Sequence, residues 1–246
     1  MMRSTSNPVF RTISRSETYT SSDVATYGGM ITKTLFLLLI AVGAGFLSIM
    51  YIPVETLYTM LFGAMIVGFI SVIIASRSVR LAMPFSILYS LAEGVLLGII
   101  TAIFESIIPG IAFTAIMGTL VIFFVMLFLY ASRTIRVTNR FRRIMFSVML
   151  GLLVFFIIFG ILSLFGGTMM TNIMLNPQIA LGVGAIMIII GALMLTLDFE
   201  RAESIVESGA DKRYEWIVSL GLMVTIVWIY IEILRFVAIL TMSRDR

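Results

Sequence analysis

Four ionisable side chains lie inside or at the edge of long apolar stretches of this sequence: Glu93, Asp198, Glu232 and Arg235. A charged group in a low-dielectric interior is costly, so such residues mark ion paths, proton relays or buried ion pairs. The 246 residues include no cysteine and no histidine. This composition excludes disulfides, thiolate nucleophiles, the usual zinc and haem sites, and imidazole acid–base chemistry.

Glu93 continues a polar stripe that includes Ser86 and Ser90 at helical spacing. One face of its helix must therefore face protein or water rather than lipid. Gly94 and Gly98 are small residues four positions apart, which let a second helix approach closely. Glu93 is either a protonated, hydrogen-bonded packing residue or a functional acid, and both interpretations remain open.

Glu232 and Arg235 share one face of a predicted helix with Thr225 and Trp228. Either Arg235 reaches toward the membrane surface and Glu232 neutralises it, or the two belong to a functional site. Asp198 ends an apolar stretch, where an acid is either solvated at the membrane surface or functional. Position alone does not decide between these roles.

The elements that must position these acids are seven apolar stretches of roughly the 20 residues that a helix needs to cross a bilayer. We predict spanning helices at residues 34–52, 57–75, 81–104, 111–131, 144–165, 178–197 and 216–240. The chain is 60% hydrophobic and only 12% charged, which predicts an integral membrane protein. The alternation typical of a membrane barrel is absent, so the fold class is all-α.

Polar segments flank this predicted transmembrane domain, which covers residues 34–240. Residues 1–33 are rich in serine, threonine and arginine and lack the apolar core of a secretory signal. We predict a flexible cytoplasmic tail there and a short C-terminal tail at residues 241–246. An organelle transit peptide is the alternative for the first segment, and Glu17 and Asp23 argue against it.

The 17 lysines and arginines are divided unevenly between the two sides of the predicted membrane domain. Most lie on the side of the N-terminal tail, and the interior loops of the other side contain none. This asymmetry predicts a cytoplasmic N-terminus and, after seven spans, an external C-terminus. The net charge of +4 therefore indicates orientation and attraction to anionic headgroups rather than nucleic-acid binding.

Two charged clusters have simple interpretations. One helical face, which would contact anionic headgroups, carries Arg133, Arg136, Arg140 and Arg143. A solvated face of a short amphipathic extension after the sixth span carries Glu200, Glu203 and Glu207. A retinal protein is excluded, because Lys33 and Lys212 are the only lysines and both lie outside the predicted spans.

Several short stretches occur in an order that resembles the Bax inhibitor family of membrane proteins, in particular a bacterial branch. They are SNPV at 6–9, AEGVLLG at 92–98, LYAS at 129–132, LDF at 197–199 and the run from 215 to 235. The resemblance implies seven helices in which the C-terminal helix is central and wrapped by the other six. In a bacterium, the location would be the plasma membrane.

The same resemblance implies a pH-sensitive calcium leak, with calcium as the transported ion and no resident cofactor. Two acids on the sixth and seventh helices would share a proton and bind calcium weakly, and by position they are Asp198 and Glu232. A basic residue would latch the closed state. The candidates for that residue are Arg77, Arg80 and Arg235.

Two departures from the family pattern affect this pair. Glutamate stands where aspartate is expected, and Glu232 follows Asp198 by 34 residues. Glu232 also lies about 24 Å of helix rise beyond Trp216, whereas Asp198 is predicted near the inner face. Glu93 is therefore an alternative partner for Glu232.

Two carboxyls close together in a low-dielectric site cannot both ionise cheaply, so such a pair senses proton concentration. The ionised pair would attract a basic latch or a hard cation, and protonation would release both. Calcium prefers six to eight oxygen ligands, so two side chains predict weak, transient binding.

Two other functions compete with the leak. In a membrane scaffold that binds other membrane proteins or a protease, the acids would be purely structural. An intramembrane hydrolase would use two acids on a water molecule, but Thr196-Leu197-Asp198 lacks the expected Gly-x-Gly-Asp context. We therefore do not expect an enzyme.

Overall fold

The computed structural model describes residues 24–51, 56–164 and 176–244. Within these ranges the chain forms seven α-helices. Their bounds are α1 Tyr27–Tyr51, α2 Leu57–Arg77, α3 Ala82–Ile107, α4 Ile111–Ala131, α5 Asn139–Leu164, α6 Pro177–Glu207 and α7 Tyr214–Arg244. All seven are long and apolar enough to cross a bilayer, which confirms the prediction of an all-α integral membrane protein.

Several helices extend beyond the predicted spans. Helix α1 begins at Tyr27 rather than Thr34, so residues 27–33 of the predicted tail are helical. The reason is local, because Thr26 Oγ1 caps the helix by accepting a hydrogen bond from Gly29 N at 3.0 Å. Residues 241–244 are likewise helical. The rest of both predicted tails, residues 1–23 and 245–246, lies outside the described residues, as does the SNPV stretch at 6–9.

Helix α6 shows how local sequence sets a helix start. Asn176 caps it by accepting a hydrogen bond from Gln178 N at 3.0 Å, and Pro177 occupies the first turn. The helix then continues through the acidic extension to Glu207, as the amphipathic pattern predicts. This length carries α6 past the predicted end of its span at residue 197.

Helix α7 lies at the centre of the bundle, as predicted. It packs against α1, α2, α3, α4 and α6. Helix α5 is peripheral, since Met145 is the one buried residue among its described side chains. The acids of the seventh span therefore lie in the most enclosed helix of the described chain.

Glycines set the closest helix contacts. Gly45 of α1 and Gly94 and Gly98 of α3 face one another, and a Cβ on Gly94 would overlap the backbone of Ala41. This confirms the predicted small-residue contact. Along α6 and α7, Gly191 lies against Ile229 and Gly184 against Phe236, which fixes an antiparallel register between the two helices.

Candidate functional site

Asp198 is buried where α6 meets α7, with 6% of its surface exposed. Thr225 of α7 donates a hydrogen bond from Oγ1 to Asp198 Oδ2 at 2.6 Å. Gly221, one turn earlier on α7, also lies beside the carboxylate, since a Cβ there would be in van der Waals contact with Asp198 Oδ1 at 3.6 Å. The acid is therefore part of a helix–helix contact and is not solvated at the membrane surface.

Arg201 is the cation nearest this carboxylate. It lies three residues after Asp198 on α6, interacts electrostatically with Asp198, and extends its guanidinium beside Gly221. The sequence analysis did not single out Arg201, although the three-residue spacing on one helix places the two side chains on the same face. That spacing is the signal that would have found it.

Glu232 is also buried, with 8% of its surface exposed, and its Oε2 has no hydrogen-bond partner among the described residues. Arg235, one turn further along α7, is half-buried and interacts with it electrostatically. The predicted neighbourhood of these two residues is therefore present. Burying an acid oxygen without a hydrogen-bond partner raises the free energy of the folded state. Glu232 Oε2 is therefore unusual among the described polar atoms of α7.

The structure does not bring Asp198 and Glu232 into direct contact. Asp198 is level with Thr225, and Glu232 lies seven residues later on the same side of α7, about 10 Å along the helix axis. Within the described residues, no hydrogen bond or ion pair joins the two carboxyls. The shared proton predicted for this pair therefore requires a different arrangement of α6 and α7.

Glu93 lies elsewhere in the bundle. It is half-buried, is hydrogen-bonded by Tyr89, and packs beside Gly68 of α2. Helix α3 contacts α7 through Ser90 on Met223 and Thr101 on Tyr230, at 3.1 and 2.8 Å. Met223 and Tyr230 therefore lie on the face of α7 that contacts α3. Thr225 and Glu232 lie about half a turn away, on the opposite face of the same helix. The alternative pair of Glu93 with Glu232 is therefore not assembled.

The latch candidates also lie apart from the buried acids, with one exception. Arg77 ends α2 and Arg80 follows it, and both are exposed. Neither forms a hydrogen bond or ion pair with any residue in the described ranges. Arg235 is the one predicted latch residue beside an acid, and Arg201 is the cation beside Asp198.

Calcium binding by Asp198 and Glu232 stays a prediction. In the part of the chain that the structure describes, no three acids converge on one point that could hold a metal ion. Each of the two acids alone offers two oxygens to an ion that prefers six to eight. Any ion held at either position would need water or backbone carbonyls to complete its coordination.

Sequence reasoning missed Glu215, the most completely buried acid of the described chain. It lies in the first turn of α7, is 0% exposed, and forms an ion pair with Lys33 of α1. Lys33 also lies over the Trp216 ring, with Nζ 5.3 Å from the centroid. The signal was an acid at a helix N-terminus, where the helix dipole favours negative charge. Lys33 was hidden because the sequence analysis assigned it to a tail.

A charged crevice of 790 Å³ separates the α4–α5 loop from the acidic extension of α6. Arg133 donates to Glu203 Oε1 at 2.5 Å, Tyr130 donates to the same carboxylate, and Arg142 pairs with Glu200. The Glu203 carboxylate raises the pKa of Arg133 above its usual value. The predicted single helical face of arginines is wrong, because α5 begins at Asn139 and leaves Arg133 and Arg136 in the loop before it. Arg133 binds α6, whereas Arg136, Arg140 and Arg143 form no ion pair with described residues and stay candidates for headgroup contact.

A family model described as "Bax inhibitor 1 like" matches residues 7–242, nearly the whole chain. A search of curated proteins finds no match for this sequence.

Proposed function

Because the chain belongs to the Bax inhibitor 1-like family, we propose that it is a pH-sensitive leak for calcium. The observation that carries this proposal is Asp198, an acid buried in the contact between the central helix and α6. A carboxyl in that position couples a single proton to the packing of two membrane helices. Passive ion passage needs no catalytic residue and no resident cofactor.

Asp198 acts as the gate in this proposal. When the carboxyl is ionised, Thr225 of α7 donates to it and so holds α6 to α7, while Arg201 of α6 stabilises the negative charge. Protonation removes the attraction to Arg201 and weakens the hydrogen bond. We therefore expect the contact to loosen, and the leak to increase, as pH falls.

Glu232 has a different role in the same proposal. Its Oε2 is buried without a hydrogen-bond partner in the described part of the chain, about 10 Å further along α7 than the Asp198 contact. When α6 and α7 separate, this oxygen becomes available to a passing cation. Because a single carboxylate supplies too few ligands for tight calcium binding, occupancy is brief, as ion passage requires.

The orientation belongs to the proposal as well. The excess of lysine and arginine on the side of the N-terminus favours a cytoplasmic N-terminus. Arg136, Arg140 and Arg143 lie on that side, where they would contact anionic headgroups of a bacterial plasma membrane. The protein would thus release calcium along its gradient across that membrane.

Calcium flux from proteoliposomes tests the mechanism. The wild-type chain is reconstituted with a trapped calcium dye, and flux is measured from pH 8 to about pH 5, a range in which buried carboxyls titrate. We expect Asp198→Asn to abolish the pH dependence and Glu232→Gln to reduce flux at every pH. Glu207→Gln is the matched control, because Glu207 is an exposed acid of the same helix as Asp198.

Two results would contradict the proposal. One is wild-type flux no greater than that of empty liposomes at any pH. The other is flux whose pH dependence is the same in wild type and Asp198→Asn, since the gate would then lie elsewhere.

A membrane scaffold is the second candidate function, and α5 is the observation that favours it. This apolar helix exposes most of its described side chains, so its surface faces lipid or another membrane protein. In that case Asp198→Asn and Glu232→Gln would alter stability but produce no transport phenotype. The flux measurements above therefore distinguish the two functions.

A further inference from the structure

A short segment at the start of the described chain lies across the loop that joins α6 to α7. Ala25 N donates to Ala210 O at 2.8 Å, and Val24 forms an isolated antiparallel bridge with Asp211. Ala25 is 2% exposed and belongs to the same buried cluster as Ala202 of α6. We call residues 24–27 the strap. It is attached to the bundle on the side where α7 begins.

The Glu215 carboxylate binds the strap to the first turn of α7. Thr26 N donates to Glu215 Oε1 at 2.8 Å, and Thr26 Oγ1 donates to the same oxygen at 3.3 Å. Thr26 Oγ1 also accepts from Gly29 N and so caps α1. The hydroxyl that starts α1 is therefore also the hydroxyl that joins the strap to α7.

Lys33 supplies the positive charge that allows an ionised Glu215 to stay buried beneath the strap. Glu215 is 0% exposed, and its ion-pair partner among the described residues is Lys33. The Lys33 side chain is 16% exposed, so this contact borders solvent. Removing the partner of a buried charge is strongly destabilising. An unpaired Glu215 therefore favours a state in which the strap has left and water reaches the carboxylate.

Two adjacent glycines connect the strap to the rest of α1. Gly28 and Gly29 both lie in the first turn of the helix, where glycine weakens helical structure. They differ in their surroundings: a Cβ on Gly28 would meet open space, whereas a Cβ on Gly29 would overlap the Glu215 carboxylate. Gly28 therefore has no packing role, whereas a side chain at position 29 would displace the Glu215 carboxylate from its place beneath the strap.

We propose that the strap is a conformational device that swings about Gly28–Gly29 and is held closed over the first turn of α7 by the Lys33–Glu215 contact. Opening exposes the Glu215 carboxylate at the end of the central helix. Tyr27 of the strap interacts electrostatically with Glu203 and Glu207, two acids that line the charged crevice. This device goes beyond the proposed leak and does not depend on it.

A single introduced cysteine measures strap opening, because the natural chain has no cysteine. Ala25→Cys places a thiol at a buried position of the strap, and its reaction rate with a charged maleimide is measured in lipid nanodiscs. We expect slow labelling in this parent. Adding Lys33→Met or Gly29→Ala should raise the rate at least about tenfold, since each breaks the fastening.

Two matched variants separate this device from general destabilisation. Gly28→Ala makes the same change as Gly29→Ala one residue away, and its labelling rate should equal or fall below that of the parent. Glu215→Gln combined with Lys33→Met removes both charges and keeps an oxygen that accepts from Thr26 N. We expect this pair to return the rate to within about threefold of the parent, because no unpaired charge remains.

Thermal unfolding in the same nanodiscs identifies folded variants, and Lys33→Gln replaces Lys33→Met if the latter does not fold. The proposal is overturned if folded Lys33 and Gly29 variants label at the parent rate. It is also overturned if Gly28→Ala accelerates labelling as much as Gly29→Ala does, because the effect would then reflect the helix turn alone.

Discussion

At the scale of single residues, three buried acids of this protein are stabilised in three different ways. Within the described ranges, Glu215 is paired with a cation and accepts from two donors on Thr26, and Asp198 accepts from one hydroxyl and lies near an arginine. Glu232 has one oxygen that finds no hydrogen-bond partner in these ranges. The cost of burying a carboxylate falls as its partners increase. Asp198 and Glu232, the less satisfied acids, are therefore the ones that we propose as the gate and the cation contact.

The Asp198–Thr225 hydrogen bond should contribute measurably to stability. Thr225→Val removes the donor and keeps the side-chain shape, so we expect the free energy of unfolding to fall by about 1 to 2 kcal/mol. Thr241→Val is the control, because Thr241 of α7 donates to a backbone carbonyl of its own helix. Unfolding in mixed micelles measures both. Equal effects of the two substitutions would show that the contact with Asp198 adds nothing.

At the scale of the helices, glycine residues determine where two helices can pack most closely. Gly45 of α1 meets the backbone of α3 at Gly94 and Gly98, whereas Gly43, two residues earlier, faces open space. Both glycines lie in the same apolar helix, and the sequence gives no means to tell them apart. Packing alone assigns a structural role to Gly45.

Alanine at these two glycines should have opposite effects. A Cβ on Gly45 would lie 2.9 Å from Gly94 O, so Gly45→Ala forces α1 and α3 apart and should cost about 1 to 3 kcal/mol. Gly43→Ala should leave stability unchanged or raise it by up to about 1 kcal/mol, since alanine favours helix. Thermal unfolding of both variants measures the difference. A Gly45→Ala variant as stable as Gly43→Ala would refute the close packing.

At the scale of the whole molecule, one side of the bundle carries the basic residues and the fastened end of α7. Lys33, Arg133 and Arg142 all make ion pairs there, with acids of α6 or α7. Basic residues of the kind that orient a chain in the membrane thus also form ion pairs that connect helices and loops on that side. The Asp198 contact lies toward this side of α6 and α7 as well.

Cysteine labelling of whole cells should reveal the orientation. Ser106→Cys at the end of α3 and Ser208→Cys after α6 place exposed thiols on opposite sides of the bundle. With a cytoplasmic N-terminus, an impermeant reagent outside the cell should label position 106 and leave position 208 unlabelled until the membrane is opened. The reverse pattern would show that the N-terminus is outside.

Much of the fold could be predicted because membrane insertion depends on local composition. Apolar length fixes the number of spans, and backbone polarity in lipid fixes them as helices. The residues that join helices were harder to find. Lys33 and Glu215 are 182 residues apart and meet only because α1 packs against the start of α7.

The sequence by itself determined the fold class, the seven spans and the position of Glu232 inside the last span. The family resemblance implied the central position of the last helix, and Glu215 was missed. Only the tertiary structure decided which groups face those acids, because register and rotation between helices arise from side-chain packing along their whole length. The packing placed Thr225 and Arg201 beside Asp198 and kept Glu93 apart from Glu232. It also gave Glu215 an ion pair with Lys33, which neither Asp198 nor Glu232 has among the described residues.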